Sequence, residues 1–259
     1  MFTAFFRPFP RLCYHQCFSK MRLFSPIVFR KYILLSAILA MAFVLPAFAE
    51  HVQERNSLTL GAVLRELDDQ AKGFQSLTAD IARTKVTVVV NVKSTETGVL
   101  YVHGEKMRLE MKTPDPRTIL RTGDMIYIYT PGLKRVEEYN LGKHRQLVDE
   151  FLLLGFGTSG HDLEKGFLVT LLGEPTLEHQ KTALLELTPK STQARNQISK
   201  IHLWLDESSW LPVQQKFFET GSDDYFIIQY SNEVRNPAIP DSRFRPHWPK
   251  YTQKIRPEG

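Results

Sequence analysis

The sequence predicts a mainly β protein with some helix, built on one large curved antiparallel sheet. We expect this sheet to form an incomplete, half-open β-barrel of about eleven strands, with helices acting as a lid or plug. Two observations carry the prediction. From Leu77 onward polar and apolar residues alternate with a period of two, and β-branched and aromatic residues dominate. Short turn sequences separate the apolar runs, so consecutive strands should pair as hairpins.

Residues 1–49 differ from the rest and predict a cleavable signal peptide. They hold six basic residues and no acidic one, and Arg30 and Lys31 precede an apolar run that ends at Leu45. The triplet from Ala47 to Ala49 is typical of a cleavage site. The apolar run has about 14 residues, whereas a membrane-spanning helix needs about 20. We therefore expect cleavage after Ala49, a possible true start at Met21, and a single exported domain over 50–259.

Removing the predicted leader changes the charge of the chain. The full sequence has 33 basic and 28 acidic residues, so 33 − 6 leaves 27 basic against 28 acidic residues, a net charge near −1. The pI of about 9.1 is then a property of the leader, and a nucleic-acid-binding function loses its electrostatic basis. Cys13 and Cys17 leave with the leader, which excludes disulfides, thiol nucleophiles and thiolate metal ligands from the mature chain.

Two segments carry a helical pattern. The first is an amphipathic helix that ends at Gly73, and its apolar positions are Leu60, Val63, Leu64, Leu67 and Ala71. The second lies between Lys143 and Leu154, in the middle of the β pattern, and its apolar positions are Leu147, Val148, Phe151 and Leu154. We expect both helices to pack on the concave side of the sheet.

The strands follow from the alternation and the turn sequences. A turn is expected at Thr95 to Gly98, between the first two strands. The clearest strand runs from Lys106 to Lys112, with its apolar residues on one side and its charges on the other. The predicted strands lie near 77–92, 97–103, 106–112, 117–122, 125–130, 134–140, 166–172, 175–179, 182–188, 196–206, 210–219 and 224–233.

No residue pattern indicates catalysis or a cofactor. The segment from Gly155 to Gly160 matches GxGxxG, but it follows an apolar helix and opens no βαβ unit, so a loop beside a moving lid fits it better than a nucleotide site. The histidines have no metal-ligand spacing, and no GxSxG motif is present. Scattered carboxylates such as Asp206 and Asp241 fit solvated faces better than acid–base pairs. We expect no enzyme activity, no cofactor and no metal.

The alternating apolar residues are candidates for lining a hydrophobic cavity beneath a lid. The same alternation also fits an ordinary packed sheet core, and only the methionines favour a surface that binds varied apolar guests. The candidate ligand-binding residues are Leu100, Val102, Met107, Leu109, Met111, Met125, Tyr127, Tyr129, Leu147, Phe151, Leu154, Leu203, Leu205, Phe226, Ile228 and Tyr230.

Several segments, taken in order and spacing, resemble the outer-membrane lipoprotein carrier family LolA. No single segment is specific, but their collinearity covers nearly all of the mature chain. The segments are 76–80, 97–102, 107–111, Pro114, 122–131, 185–190, 201–206, 211–212, Asn236 and 239–244.

The resemblance implies an open antiparallel barrel with helices over its mouth. It also implies a monomer that carries lipidated proteins through the periplasm, from an inner-membrane release complex to an outer-membrane acceptor. Apolar burial would supply the affinity, at about 0.8 kcal/mol for each sheltered CH₂ group. Two alternatives stay open: a carrier of another lipid, such as a glycolipid or phospholipid, and a periplasmic lipid-sensing regulator of the same fold.

One departure from the family pattern bears on the lid. Family members often place Arg-Pro after the strand that matches Leu100 to Val102, and the resemblance implies that this arginine helps to hold the lid. The present chain has His103-Gly104-Glu105 there. Another arginine, such as Arg83 or Arg108, could serve instead.

Overall fold

The computed structural model describes residues 57–142, 151 and 154–257. The predicted signal peptide with its cleavage site at Ala49, Leu147, and most of the second predicted helix lie outside these residues. Thirteen strands of the described part form one sheet. They are β1 (Ser76–Thr87), β2 (Val92–His103), β3 (Lys106–Thr113), β4 (Arg117–Thr122), β5 (Met125–Thr130), β6 (Arg135–Asn140), β7 (Phe167–Gly173), β8 (Thr176–Leu177), β9 (Gln180–Pro189), β10 (Ile198–Asp206), β11 (Pro212–Glu219), β12 (Tyr225–Arg235) and β13 (Gln253–Ile255).

The sheet is open and almost entirely antiparallel, which confirms the predicted fold class. Its order is β13-β6-β5-β4-β3-β2-β1-β12-β11-β10-β9-β7, with β8 paired to β9 alone. Strand β1 pairs with β12 and thereby joins the two halves of the chain. The short β13 runs parallel to β6 at one edge. The two edges, at β7 and at β13, do not pair with each other in this order, so the sheet does not close.

The turn predicted at Thr95 to Gly98 is wrong, because these residues lie within β2. They pair with β1: the hydroxyls of Thr84 and Thr95 are 2.9 Å apart, and Arg83 lies 3.3 Å from Glu96. The chain turns instead at residues 88–91, where Asn91 has a φ of 49°. Asparagine tolerates this left-handed conformation, whereas the valines before it read as strand in the sequence.

Helix α1 (Leu60–Lys72) is the first predicted helix. The hydroxyl of Thr59 caps it by accepting a 3.2 Å hydrogen bond from the amide of Ala62. Two further helices, α2 (Gly160–Gly166) and α3 (Thr192–Arg195), were not predicted. They span two turns or less and are too short to show a helical period. Gly160 permits a close approach to α1, since a Cβ there would lie 2.4 Å from the carbonyl oxygen of Leu64.

We call the side of the sheet on which α1 packs the inner face. Over the second half of the sheet, α1 and α2 fill this face, and the side chains of Leu185 and Leu203 are completely buried. This packed core contains Val63, Leu67, Leu154, Leu163, Phe167, Ala183, Leu185, Leu187, Ile201, Leu203, Leu205 and Phe217. No helix among the described residues is long and apolar enough to cross a membrane.

The end of the chain covers the outer face near β3 to β6. A 3-10 helix (Asp241–Phe244) contacts β3 and β4. After it, the Trp248 ring lies 5.0 Å from the Tyr129 ring and 6.2 Å from the Tyr127 ring. Tyr127, Tyr129 and Met125, which share one side of β5, therefore face away from α1.

Candidate functional site

The inner face of β1 to β5 forms an apolar surface, which we call the trough. Its central row crosses four strands, with Leu100 opposite Leu109, Leu109 opposite Ile119, and Ile119 opposite Ile128. All four side chains are aliphatic. They share the inner face because directly opposed residues of paired strands point to the same side of a sheet. The trough comprises Ile81, Leu100, Met107, Leu109, Met111, Ile119, Ile126 and Ile128.

Coverage of the trough is uneven. The side chains of Ile81, Leu100, Met107 and Met111 are 3–5% exposed, whereas those of Leu109, Ile119, Ile126 and Ile128 are only partly buried. Within the described residues, the inner face thus changes from a filled core over the second half of the sheet to a less covered aliphatic surface at β3 to β5. This surface is aliphatic except for Arg121, which is buried on the inner face between Met107 and Ile126.

Charged side chains border the trough at one end. Glu96 accepts hydrogen bonds from both terminal nitrogens of Arg117, at 2.8 and 2.7 Å, and from Arg83 at 3.3 Å. The Arg117 guanidinium holds the pKa of the Glu96 carboxyl below its usual range. The carboxylate thus stays ionised, and its charge is matched by the two arginines.

A second polar border lies along β6. The hydroxyl of Tyr139 donates a 2.7 Å hydrogen bond to Glu137, and Arg135 lies 2.8 Å from the same carboxylate. This bond raises the pKa of Tyr139. Glu137 stands opposite Ile128 in the sheet, so the aliphatic row ends at an ionic group. The trough is apolar along its length and polar at its margins.

The turn that departs from the family pattern is held by a buried arginine. Arg121, on β4, is 1% exposed and donates a hydrogen bond to the carbonyl oxygen of Glu105, and it lies 3.9 Å from the Glu105 carboxylate. Of the two arginines considered as substitutes, Arg83 lies at the border of the trough. Arg108 lies on the outer face, where it contacts Glu110 at 2.6 Å and the carbonyl oxygen of Arg243 at 3.2 Å.

A buried pair of polar side chains fixes the segment that precedes α2. Gln215, 2% exposed, donates a 2.7 Å hydrogen bond to the carbonyl oxygen of Leu154 and accepts one of 3.0 Å from the hydroxyl of Tyr230. The Phe156 ring packs edge-on against Tyr230 at 4.9 Å. Burial raises the pKa of the Tyr230 hydroxyl above its ordinary value. Phe156 and Tyr230 thus stand between the packed core and the trough.

The end of α1 is fastened to the sheet. Arg235 on β12 donates hydrogen bonds to the side chain of Gln70 and, at 2.6 Å, to the Gln70 carbonyl oxygen. The Asn236 amide donates to the carbonyl oxygen of Gly73 at 2.8 Å and accepts from the Gln75 amide at 2.9 Å. A cation near a helix C-terminus is also favoured by the helix dipole.

The structure brings only part of the predicted set together. Leu100, Val102, Met107, Leu109 and Met111 lie in one cluster on the inner face. Ile228 and Tyr230 pack at its border.

The remaining members of the predicted set lie elsewhere. Those in or against the packed core are Phe151, Leu154, Leu203, Leu205 and Phe226. Met125, Tyr127 and Tyr129 face outward, and Leu147 lies outside the described residues.

Several trough residues were missed from the sequence. Ile126 and Ile128 alternate with the chosen tyrosines on β5, and Ile119 stands opposite Ile128. Both sides of β5 are apolar, so the sequence of the strand does not show which side faces inward. The pairing with β4 shows that Ile128 faces inward, because Ile119 opposite it packs with Leu109 on the inner face.

Metal binding was not expected from the sequence. Across 57–142, 151 and 154–257, no three His, Asp or Glu side chains are grouped so as to hold a metal ion.

Comparisons with known proteins agree with this architecture. A family model described as "Uncharacterized protein" matches residues 105–234. An outer-membrane lipoprotein carrier protein of Dechloromonas aromatica is 25% identical over 181 residues, which are 70% of this chain and 81% of the relative.

Two solved structures match most of this chain. An uncharacterized conserved protein from Thermus thermophilus matches with a TM-score of 0.50 and 11% identity, over 74% of this chain and 98% of that one. A LolA superfamily protein from Nitrosomonas europaea matches with a TM-score of 0.39 and 14% identity, over 73% and 99%.

Proposed function

The chain belongs to a LolA-like family, and we propose that it is a periplasmic carrier that shelters the acyl chains of lipoproteins in the trough. The observation that carries this proposal is the aliphatic row from Leu100 to Ile128, which is partly uncovered and bordered by ion pairs. The relative from Dechloromonas aromatica, a lipoprotein carrier by name, supports it.

The aliphatic row of the trough suits acyl chains because it offers only dispersion and burial. Each CH₂ group removed from water contributes about 0.8 kcal/mol, so a chain of ordinary lipid length would gain roughly 10 kcal/mol before losses of chain entropy. The buried Arg121, which lies between Met107 and Ile126, donates to the carbonyl oxygen of Glu105. The charged margins at Glu96 and Glu137 would leave the polar part of the cargo in water.

The route follows from the same proposal. Residues 1–49 would direct export and be removed, so that residues 50–259 act in the periplasm. The carrier would accept lipidated proteins from an inner-membrane release complex and deliver them to an outer-membrane acceptor. A monomer is sufficient for this task, because the trough lies within one chain.

A second candidate is carriage of another lipid, such as a glycolipid or phospholipid. It is favoured by the turn at His103-Gly104-Glu105, where the lid arginine of lipoprotein carriers is replaced. Arg121 holds that turn from within the sheet, so the groups near the mouth of the trough differ from those expected for a lipoprotein cargo.

The test is to narrow the trough and measure acyl-chain affinity. Ile128→Trp places a large ring in the central row, and Ile227→Trp is its matched control, because Ile227 is also partly buried but lies on the outer face opposite Lys216. Calorimetric titration with palmitate should show at least a tenfold loss of affinity for Ile128→Trp and none for the control. Equal affinity of both variants and the wild type, with unchanged unfolding midpoints, would exclude the trough as the binding site.

A further inference from the structure

The hairpin between β1 and β2 ends in an exposed aliphatic cluster, which we call the valine tip. It consists of Val88, Val89, Val90 and Val92, whose exposed fractions are 40%, 88%, 62% and 55%. Single exposed aliphatic residues are common on soluble proteins, but a contiguous cluster marks an interaction surface.

The tip extends past the last strand pairs of its neighbours. The last pair between β2 and β3 is Thr97 with Thr113, so the backbone of residues 92–96 pairs with β1 alone. On the other side, β12 begins its pairing with β1 at Val86. The turn has a defined shape, since the Asn91 amide donates to the carbonyl oxygen of Val88 at 3.1 Å. The valines are therefore presented to solvent at the end of a hairpin.

The strand below the tip is anchored to the adjacent hairpin. The amide of Val88 donates a 2.8 Å hydrogen bond to the carboxylate of Asp224. Lys85 lies 3.1 Å from Glu219. The two hairpins also contain Lys93, Asp223 and Asp224. The positive and negative charges around the tip nearly balance, so the tip attracts a partner by its apolar surface and not by net charge.

The chemistry of the tip fits a lipid bilayer better than a protein. At about 25 cal/mol per Å², a fully buried valine corresponds to about 60–120 Å² of apolar surface, so four valines bury less than about 500 Å². A stable protein interface needs about 800 Å² from each partner. A convex aliphatic tip needs no matching surface in a bilayer. We propose that the valine tip inserts into the surface of a phospholipid bilayer.

This inference rests on the proposed function and extends it. It names the phospholipid bilayer as the surface toward which the trough opens. The Arg83–Glu96 pair that borders the trough stands four residue pairs from Thr87 and Val92 at the tip. At about 3.4 Å per residue, this is about 14 Å. Insertion would place that end of the trough within about 14 Å of the bilayer, so that an acyl chain could pass between bilayer and trough.

The experiment is flotation of the full chain, as produced and exported by a diderm host, with phosphatidylcholine vesicles. Val89→Ser with Val90→Ser should lower the vesicle partition coefficient by roughly tenfold. Val89→Trp should raise it, because tryptophan favours the membrane interface. The matched control combines Leu168→Ser with Val234→Ser, two residues 61% and 52% exposed elsewhere on the sheet, and should leave the partition unchanged.

Several outcomes overturn the inference. The first two are absence of wild-type flotation and an equal loss of flotation in the control variant. The third is flotation that requires phosphatidylglycerol and disappears in about 0.5 M salt, where the screening length is about 4 Å, because such binding is electrostatic. The fourth is a dimer of the chain that the serine variant abolishes. Palmitate titration of the same samples separates the two proposals. Palmitate binding without flotation removes the tip proposal alone, whereas flotation without palmitate binding removes the proposed function alone.

Discussion

Gln215 is a single buried side chain that holds the segment before α2 to the sheet. Its amide joins the backbone at Leu154 to the hydroxyl of Tyr230, next to the boundary between packed core and trough. Gln215→Leu should leave both partners unsatisfied, at about 1–3 kcal/mol for each buried group. Tyr230→Phe removes one bond, so the double variant should lose less stability than the sum of the single variants.

Urea unfolding of the three variants measures this coupling. The control is Gln214→Leu, which changes the neighbouring partly buried residue on the outer face and should cost less than about 0.5 kcal/mol. Additivity within about 0.3–0.5 kcal/mol would show that the two side chains act independently.

Glu233 should make the stability of the fold depend on pH. Burial, with a contribution from Asp206, raises its pKa from 4.5 to about 7. The folded chain then holds a proton that the unfolded chain releases, so stability should fall as pH rises from about 4.5 to 7 and stay low above that. Glu233→Gln removes this pH-dependent loss of stability. The melting temperature of the variant should therefore exceed that of the wild type by an amount that grows between pH 5 and pH 8. A constant difference across that range would contradict this assignment.

At the scale of residues, sequence alone predicted one side of β3 and failed on β5. Met107, Leu109 and Met111 alternate with charged residues, so their shared face was evident and the structure places them together. On β5 both faces are apolar, and the aromatic face was chosen. Tyr127 and Tyr129 contact Trp248, more than a hundred residues later in the chain, and no local pattern encodes that contact.

At the scale of elements, α1 covers the packed core with its apolar stripe. Its apolar stripe, with Val63 and Leu67, was readable as a helical period. The hydrogen bond from Arg235 to the Gln70 carbonyl oxygen could not be predicted from the sequence, because the two residues are 165 positions apart. Likewise the position of the first hairpin turn depends on cross-strand pairs such as Thr84 with Thr95, which compete with the turn propensity of the sequence.

Loss of the Arg235 clamp should loosen α1. Arg235→Ala removes bonds from a charged donor to Gln70 and should lower the free energy of unfolding by about 1–3 kcal/mol. Hydrogen exchange of the α1 amides should rise more than that of the β9 and β10 amides. Lys72→Ala, which removes an exposed ion pair with Asp69 on the same helix, should leave exchange unchanged. Uniform acceleration in every element would show that Arg235 supports the whole fold and not α1 in particular.

At the scale of the whole molecule, the inner face of one sheet differs between its two halves. Over β7 and β9 to β11 its inner face is filled by α1 and α2, and over β1 to β5 the same face is an aliphatic trough with charged borders. The sequence predicted the large open sheet, because alternation and short turns recur along the chain. It could not tell a filled face from an available one, since both are equally apolar. That distinction depends on what packs above the sheet.

Native mass spectrometry of the chain, purified gently from the periplasm of a diderm host, would decide whether the trough carries acyl chains. Bound species would be identified after denaturation. We expect a complex with a triacylated lipoprotein, and a bound glycolipid or phospholipid would move the cargo to the second candidate. A clean mass of the chain alone, together with no uptake of palmitate on titration, would exclude the proposed carrier function.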